Sequence, residues 1–125
     1  MAVGMSYGSL GKTLVMRGQV VEGLAALRKA LAILESIDNP NGQYGAVCYL
    51  ALAAAVDDPA DGSAASDRQL RDKDHAMAIL RRLLARGFAN TALLKNDPDL
   101  DTIRSRPDFQ ALLLDLEFPQ RPFAP

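Results

Sequence analysis

The sequence predicts an all-α fold in which helical hairpins stack side by side. Ala and Leu dominate its 125 residues, Trp is absent and β-branched residues are sparse, which favours helix over most of the chain. Residues 7–14 read Tyr-x-x-Leu-Gly-x-x-Leu, and 42 positions later residues 49–56 read Tyr-x-x-Leu-Ala-x-x-Val. Each copy is followed by a second shared pattern, Gly23-x-x-x-Leu27-x-x-Ala30 after the first copy and Ala76-x-x-x-Leu80-x-x-Leu83 after the second. Repetition over such a distance is typical of stacked helical units, which form surfaces and not catalytic clefts.

The first hairpin is predicted to cover residues 6–40. Tyr7, Leu10 and Leu14 step by three and four, the spacing of one stripe along a helix that ends at Gly18. A second helix follows, with a row of leucines along one side. The cluster Asp38-Asn39-Pro40-Asn41-Gly42 predicts a stop and a turn. Because the link between the two helices is short, they should lie antiparallel.

The second hairpin is predicted to cover residues 43–87, with an inserted loop at 58–67 that is rich in small residues, Pro and Gly. Its first helix is apolar almost all round, which is typical of a helix packed on several sides at the centre of a domain. Its second helix ends in a run of arginines before Gly87, which suits a helix C-terminus.

Residues 88–125 are predicted to form capping helices and an extended tail. Asp97-Pro98 has the pattern of an N-cap followed by proline at the first helical position, and Arg106-Pro107 starts a last helix to about residue 116. Six apolar side chains are expected to cover the exposed end of the fourth helix: Phe88, Leu94, Leu100, Ile103, Phe109 and Leu112.

The composition limits the function classes. Hydrophobic residues make up 49% and charged residues 23%, as in an ordinary folded domain, and the net charge of −1 leaves no electrostatic footprint for nucleic acid or an anionic membrane. A single cysteine cannot form an intrachain disulfide, which fits a reducing compartment. The N-terminus lacks the pattern of a signal peptide, and the apolar run 46–56 is too short to span a bilayer. We therefore predict a cytoplasmic protein with neither a nucleic-acid nor a membrane partner.

Two short motifs suggest ligands but fit structural roles better. Gly11-Lys12-Thr13 resembles the end of a phosphate-binding loop, yet Ser6 stands where that loop needs glycine, so Gly11 is interpreted as a small residue at a helix crossing. Asp97-x-Asp99-x-Asp101 resembles the start of a calcium loop. Thr102 takes the place of the required glycine and Asp108 that of the final glutamate, so helix capping is the better interpretation.

His75 and Cys48 are the remaining candidates for chemistry. A lone histidine cannot build a zinc site, and His75 is predicted to face solvent on the fourth helix. Cys48 lies in an apolar run without cationic neighbours, so it is predicted to be a small buried hydrophobe and not a reactive thiol. We predict no catalytic residue, no metal and no cofactor, and hence no enzyme.

The hairpin spacing resembles the tetratricopeptide repeat. The residues that carry the resemblance are Leu10-Gly11, Gly23, Leu27 and Ala30 in the first copy and Tyr49, Leu52, Ala76 and Leu80 in the second. In addition, Leu94-x-x-Asp97-Pro-Asp-Leu-Asp101 and Arg104-x-Arg106-Pro-x-Phe109-x-x-Leu112 resemble the C-terminal repeat segment of large bacterial serine/threonine kinases. The kinase motifs themselves are absent from the sequence.

The resemblance implies a non-catalytic scaffold module, an α-α superhelix that binds a peptide or helix in a concave groove. By family position the groove residues are Gly8, Lys12, Val15, Met16, Val47, Leu50 and Ala54. Such a groove is mostly apolar, which disfavours an acidic peptide; the chain's own tail, 119–125, is an alternative occupant. The partner could also be a second copy of the chain, through residues 5–21. In the alternative hypothesis, the chain is a regulatory or dimerisation segment of a kinase.

Overall fold

Helices form all the regular structure in the part of the chain that this computed structural model describes, residues 1–88 and 90–118. The predicted extended tail, 119–125, lies outside those residues. Two short 3-10 helices, Pro59–Ala64 and Pro98–Leu100, accompany the α-helices. The α-helices are α1 Ala2–Met16, α2 Val20–Glu35, α3 Pro40–Ala54, α4 Ala65–Ala85, α5 Thr91–Asn96, α6 Asp101–Arg104 and α7 Pro107–Glu117. The all-α prediction is confirmed, and no described helix has the length and apolar character needed to cross a membrane.

Three helices begin earlier than the sequence pattern predicts, and α4 is one of them, since it starts at Ala65, inside the predicted loop 58–67, which also holds a 3-10 helix. α1 starts at Ala2 and not at residue 6, and its first turn is held by packing, since Gly4 is buried against Leu34. α3 starts at Pro40, inside the predicted turn. The Asn39 side chain accepts hydrogen bonds from the backbone N–H groups of Asn41 and Gly42, and Pro40 occupies the first helical turn. The residues interpreted as a turn therefore end one helix and cap the next.

α1 and α2 form an antiparallel hairpin joined at Gly18, whose φ of 81° is in the left-handed region. Gly4, near the start of α1, lies against Leu34 at the end of α2, whereas Gly11 lies against Gly23 and Leu27. A Cβ added to Gly11 would come within 2.8 Å of the Leu27 side chain and 2.9 Å of the Gly23 carbonyl oxygen. The prediction that Gly11 marks a helix crossing is confirmed.

α3 and α4 form a second antiparallel hairpin that stacks on the first. Arg68, near the start of α4, donates hydrogen bonds to the carbonyl oxygens of Ala53 and Val56 at the end of α3. α1 and α3 run parallel, because Met5 contacts Gly45 and Gly8 lies under the ring of Tyr49. Ten of the fifteen residues of α3 are buried, as expected for a central helix.

The C-terminal helices cover α3 more than α4. Leu94, Leu100, Ile103 and Phe109 are almost completely buried, so the prediction that they are core residues is confirmed. Their segment packs mainly along α3 and meets α4 through α6 and through two ion pairs of 2.9 Å, Arg106–Asp74 and Asp108–Arg81. The segment therefore covers α3 in addition to the fourth helix, which the sequence analysis expected it to cover. At the other end of the cap α7 packs on α5.

A buried ion cluster joins the two hairpins. Asp72 on α4 has an exposed fraction of 6% and accepts two hydrogen bonds of 2.8 Å from the Arg28 guanidinium on α2. Arg68 approaches the same carboxylate at 3.1 Å and also bonds Asp61 at 2.6 Å. Each group has a charged partner, and the paired hydrogen bonds between Arg28 and Asp72 hold α2 against α4.

Candidate functional site

The groove predicted between α1 and α3 is not an open surface. Val47 and Leu50 have no exposed area and Ala54 has an exposed fraction of 2%. Gly8 is also buried, since a Cβ there would lie 2.1 Å from the Tyr49 ring. These four residues belong to the core and cannot line a groove for a peptide. The prediction is wrong for them because both sides of α3 are covered, one by the first hairpin and the other by the C-terminal segment.

The segment 97–104 of the same chain lies where the groove was expected. The Lys12 ammonium on α1 donates a 2.7 Å hydrogen bond to Asp99, and the Tyr44 hydroxyl on α3 donates a 2.6 Å hydrogen bond to Asp97. Lys12 therefore forms an ion pair within the chain, and its side chain stays partly exposed. Of the other predicted groove residues, Val15 is half-buried beside Gly23 and Met16 is exposed at the end of α1. The seven residues do not form one site.

Under the cap, Cys48, Asp97 and Asp99 bring potential metal ligands within 4.8 Å of one another. The Lys12 ammonium already pairs with Asp99 of this group, and that hydrogen bond raises the pKa of Lys12. Asp97 caps the 3-10 helix by accepting a hydrogen bond from the Asp99 backbone N–H, so the capping interpretation is confirmed. Asp101, the fifth position of the suggested calcium loop, instead pairs with Arg104 on α6. The arrangement is that of a structural cluster.

Cys48 is a buried residue, as predicted, with an exposed fraction of 5%. Burial, reinforced by the nearby Asp97 carboxylate, raises the pKa of its thiol to about 12. Burial and the hydrogen bond to Asp97 likewise raise the pKa of the Tyr44 hydroxyl. Both groups stay protonated at neutral pH, and a protonated, buried thiol is a poor nucleophile.

A cleft of about 460 Å³ lies between the ends of α2 and α4. Asp38 and Arg86 form a 2.7 Å ion pair in its wall, and the Gln43 side-chain amide donates to the carbonyl oxygen of Ile37. His75 is nearly half exposed on α4 and pairs with Glu35 at 2.6 Å, so its predicted solvent-facing position is confirmed. These contacts satisfy helix ends and tie α2 to its neighbours.

The outer face of α1 is the candidate interaction surface. Val3 and Leu10 have exposed fractions of 62% and 50%, and Tyr7 and Leu14 are partly exposed in the same row. These four residues form an apolar stripe, and a second row of small residues lies beside it: Ala2, Ser6, Ser9 and Thr13. Together the two rows are termed the outer face of α1. A shallow hollow of about 360 Å³ lies along its first turns.

The outer face of α1 carries no charged residue. Lys12 is the one charged residue between positions 2 and 16, and its ammonium is directed to Asp99. In a chain with 23% charged residues, a solvent-exposed helix face without any charge is unusual. Cores of protein–protein interfaces have the same character, because charges are depleted there.

Sequence reasoning treated Tyr7, Leu10 and Leu14 as one stripe without identifying which side of the helix is buried. The buried side of α1 carries the glycines Gly4, Gly8 and Gly11, which let the helix approach α2 and α3 closely. The spacing of these glycines, four and three, was the available signal. This spacing places the three glycines on one side of the helix, so the apolar stripe lies largely on the solvent-facing side of α1.

Comparisons with known proteins give no relative: no family model, no curated protein and no solved structure matches the chain.

Proposed function

We propose that the chain is a non-catalytic protein–protein interaction module of tetratricopeptide-like hairpins that binds its partner through the outer face of α1. The observation that carries the proposal is the uncharged, partly apolar surface of that helix. Within each hairpin the two helices are antiparallel, and the first helices of the two hairpins, α1 and α3, run parallel to each other. This arrangement supports the comparison with stacked repeats. In such a stack the first helix is an edge whose outer side has no neighbour within the unit.

The energetics favour covering this face. Fully burying a side chain such as Val or Leu stabilises by roughly 1.5–3 kcal/mol relative to leaving it exposed. Val3 and Leu10 are each about half to two-thirds exposed, so a partner that covers both would gain on the order of 2 kcal/mol from them alone. Tyr7 adds a partly exposed aromatic ring, and the Lys29 ammonium lies over it at 5.3 Å from the centroid.

The chemistry of the face also limits the partner. The two rows hold no cation and Lys29 on α2 is the one nearby, over Tyr7, so an apolar helix matches the stripe better than an acidic peptide does. A further hairpin of a longer repeat protein would stack on the same edge. The alternative of a regulatory or dimerisation segment of a kinase therefore uses the same surface and remains the second candidate.

Site-specific photo-cross-linking tests the proposal. A photoreactive amino acid at Leu10 is compared with the same group at Leu114 on α7, because the two leucines have similar exposed fractions, 50% and 56%. We expect a protein adduct, with the chain itself or another protein, from position 10 and little from position 114. If neither position gives an adduct in the cells that express the chain, or if both give the same adducts, the outer face of α1 is not the binding surface.

A further inference from the structure

We infer that the outer face of α1 binds a second copy of this chain, with the two α1 helices antiparallel across a two-fold axis. The inference rests on the proposed function and specifies the partner of that surface. A two-fold contact uses the same patch on both subunits, so the patch must be complementary to itself. Three properties of the outer face of α1 meet that requirement: the arrangement of its two rows, its lack of charge and its size.

The arrangement of the rows selects the antiparallel orientation. The apolar stripe Val3, Tyr7, Leu10 and Leu14 runs along one side of the face, and the row with Ser6 and Ser9 runs along the other. When two such helices face each other antiparallel, a two-fold axis places apolar stripe against apolar stripe. A parallel pair would instead place apolar residues against hydroxyl groups, which loses hydrophobic burial on both sides.

The charges near α1 are compatible with the antiparallel pair. Neither row of the outer face holds a charged residue, so the rows themselves meet no like charge of their own copy across the axis; the nearest cation is the Lys29 ammonium on α2, over the Tyr7 ring. Arg17 is the first charge on that side and follows the last residue of α1, so it lies beyond the end of an antiparallel partner helix. Antiparallel packing also sets opposite ends of the two helix dipoles side by side.

The size of the face sets the strength of the contact. A helix of 15 residues is about 22 Å long, and a face about 10 Å wide then covers roughly 200 Å². The surface continues onto α2, where Lys29 lies over Tyr7. The exposed Ala25 and Ala32 lie on the same helix, about one turn before and one turn after Lys29. Even so it is smaller than the ~800 Å² that each partner buries in a standard stable interface. The dimer is therefore weak and concentration-dependent.

Sedimentation equilibrium of the full chain over a wide concentration range tests the inference. The wild type should rise from 13.4 kDa towards twice that mass, and high salt should not weaken the association, because the two rows that meet contain no ion pair for salt to screen. Leu10→Glu buries a charge in the contact and should weaken dimerisation by at least tenfold, while the matched Leu114→Glu should behave as the wild type. Ser6→Arg, also on the exposed face, is a second variant in case Leu10→Glu alters folding.

Several results would overturn the inference. A wild type that stays at 13.4 kDa near millimolar concentration has no self-contact of the expected strength. Equal loss of association in Leu10→Glu and Leu114→Glu, or association that salt abolishes, would place the contact elsewhere. A monomer whose position 10 still cross-links to another protein leaves the proposed function intact and refutes the second copy as partner. A monomer without any adduct from position 10 refutes both.

Discussion

Replacing Gly8 by alanine tests how closely α1 packs on α3. In the interior of an exposed helix this change stabilises by about 1 kcal/mol, because alanine has the higher helix propensity. Here the new Cβ would lie 2.1 Å from two carbons of the Tyr49 ring and 2.6 Å from its hydroxyl oxygen. The ring has an exposed fraction of 7%, so it has little room to turn away.

The expected net effect follows from these two opposing contributions. Overpacking a core costs roughly 1–3 kcal/mol, and a 2.1 Å approach belongs at the upper end of that range. After subtracting the propensity gain, we expect Gly8→Ala to lower the free energy of unfolding by about 2 kcal/mol. Urea denaturation followed by circular dichroism measures it, at a protein concentration low enough that self-association contributes nothing.

Gly42→Ala is the matched control on α3. Gly42 is also a buried helical glycine, but a Cβ there would meet only Met1 and Leu34 at 3.5–3.7 Å, an ordinary van der Waals distance. We expect the stability of this variant to be unchanged or raised by up to about 1 kcal/mol. If Gly8→Ala were as stable as Gly42→Ala, α1 would not be packed against Tyr49 and the glycine side of the helix would not be its buried side.

Three further predictions concern charge. Asp72→Ala removes the shared partner of the Arg28 and Arg68 guanidinium groups and should lower the free energy of unfolding by about 2 kcal/mol in the same urea assay, the range for a hydrogen bond to a charged group. The Cys48 thiol has its pKa raised from 9.0 to about 12, so the unfolded chain loses this proton first as pH rises. The contribution of the protonated Cys48 thiol to the free energy of unfolding is fully present below pH 9 and falls by roughly 2–3 kcal/mol by about pH 11. Cys48→Ala should reduce this loss in alkaline denaturation. Hydrogen bonds from Arg106 lower the pKa of Asp108 below 3.8, so its contribution is present above that value and is lost as pH falls through the lowered pKa. Asp108→Asn should therefore lower stability at neutral pH by less than about 1 kcal/mol, since the pair is partly exposed, and the difference from wild type should vanish in acid.

Local signals in the sequence predicted the elements of the fold well. The repeated Tyr-x-x-Leu pattern located the first helix of each hairpin. Asp97-Pro98 located a helix cap, and Gly87 located the end of α4. The prediction failed at Asn39-Pro40, where one group of residues both ends α2 and starts α3. Turn signals mark a boundary but do not give the length of the link.

The site was harder to predict because it depends on contacts between distant parts of the chain. The pairs Lys12–Asp99 and Tyr44–Asp97 join residues 87 and 53 positions apart, and no periodic pattern encodes them. They place segment 97–104 over the expected groove. The same uncertainty applied to α1, where both a glycine side and an apolar side could have faced the core. Close packing against α2 and α3 selects the glycine side and leaves the apolar stripe outside.

Concentration-dependent amide chemical shifts in a ¹H–¹⁵N spectrum test most directly that the outer face of α1 is a contact surface for a second copy. Spectra of the full chain are compared between dilute and concentrated samples. The account predicts that the shifting amides concentrate in residues 2–16, with smaller shifts on α2 near Lys29. Shifts that instead cluster on α7 around Leu114 and Phe118, or spectra that do not change with concentration, would contradict it.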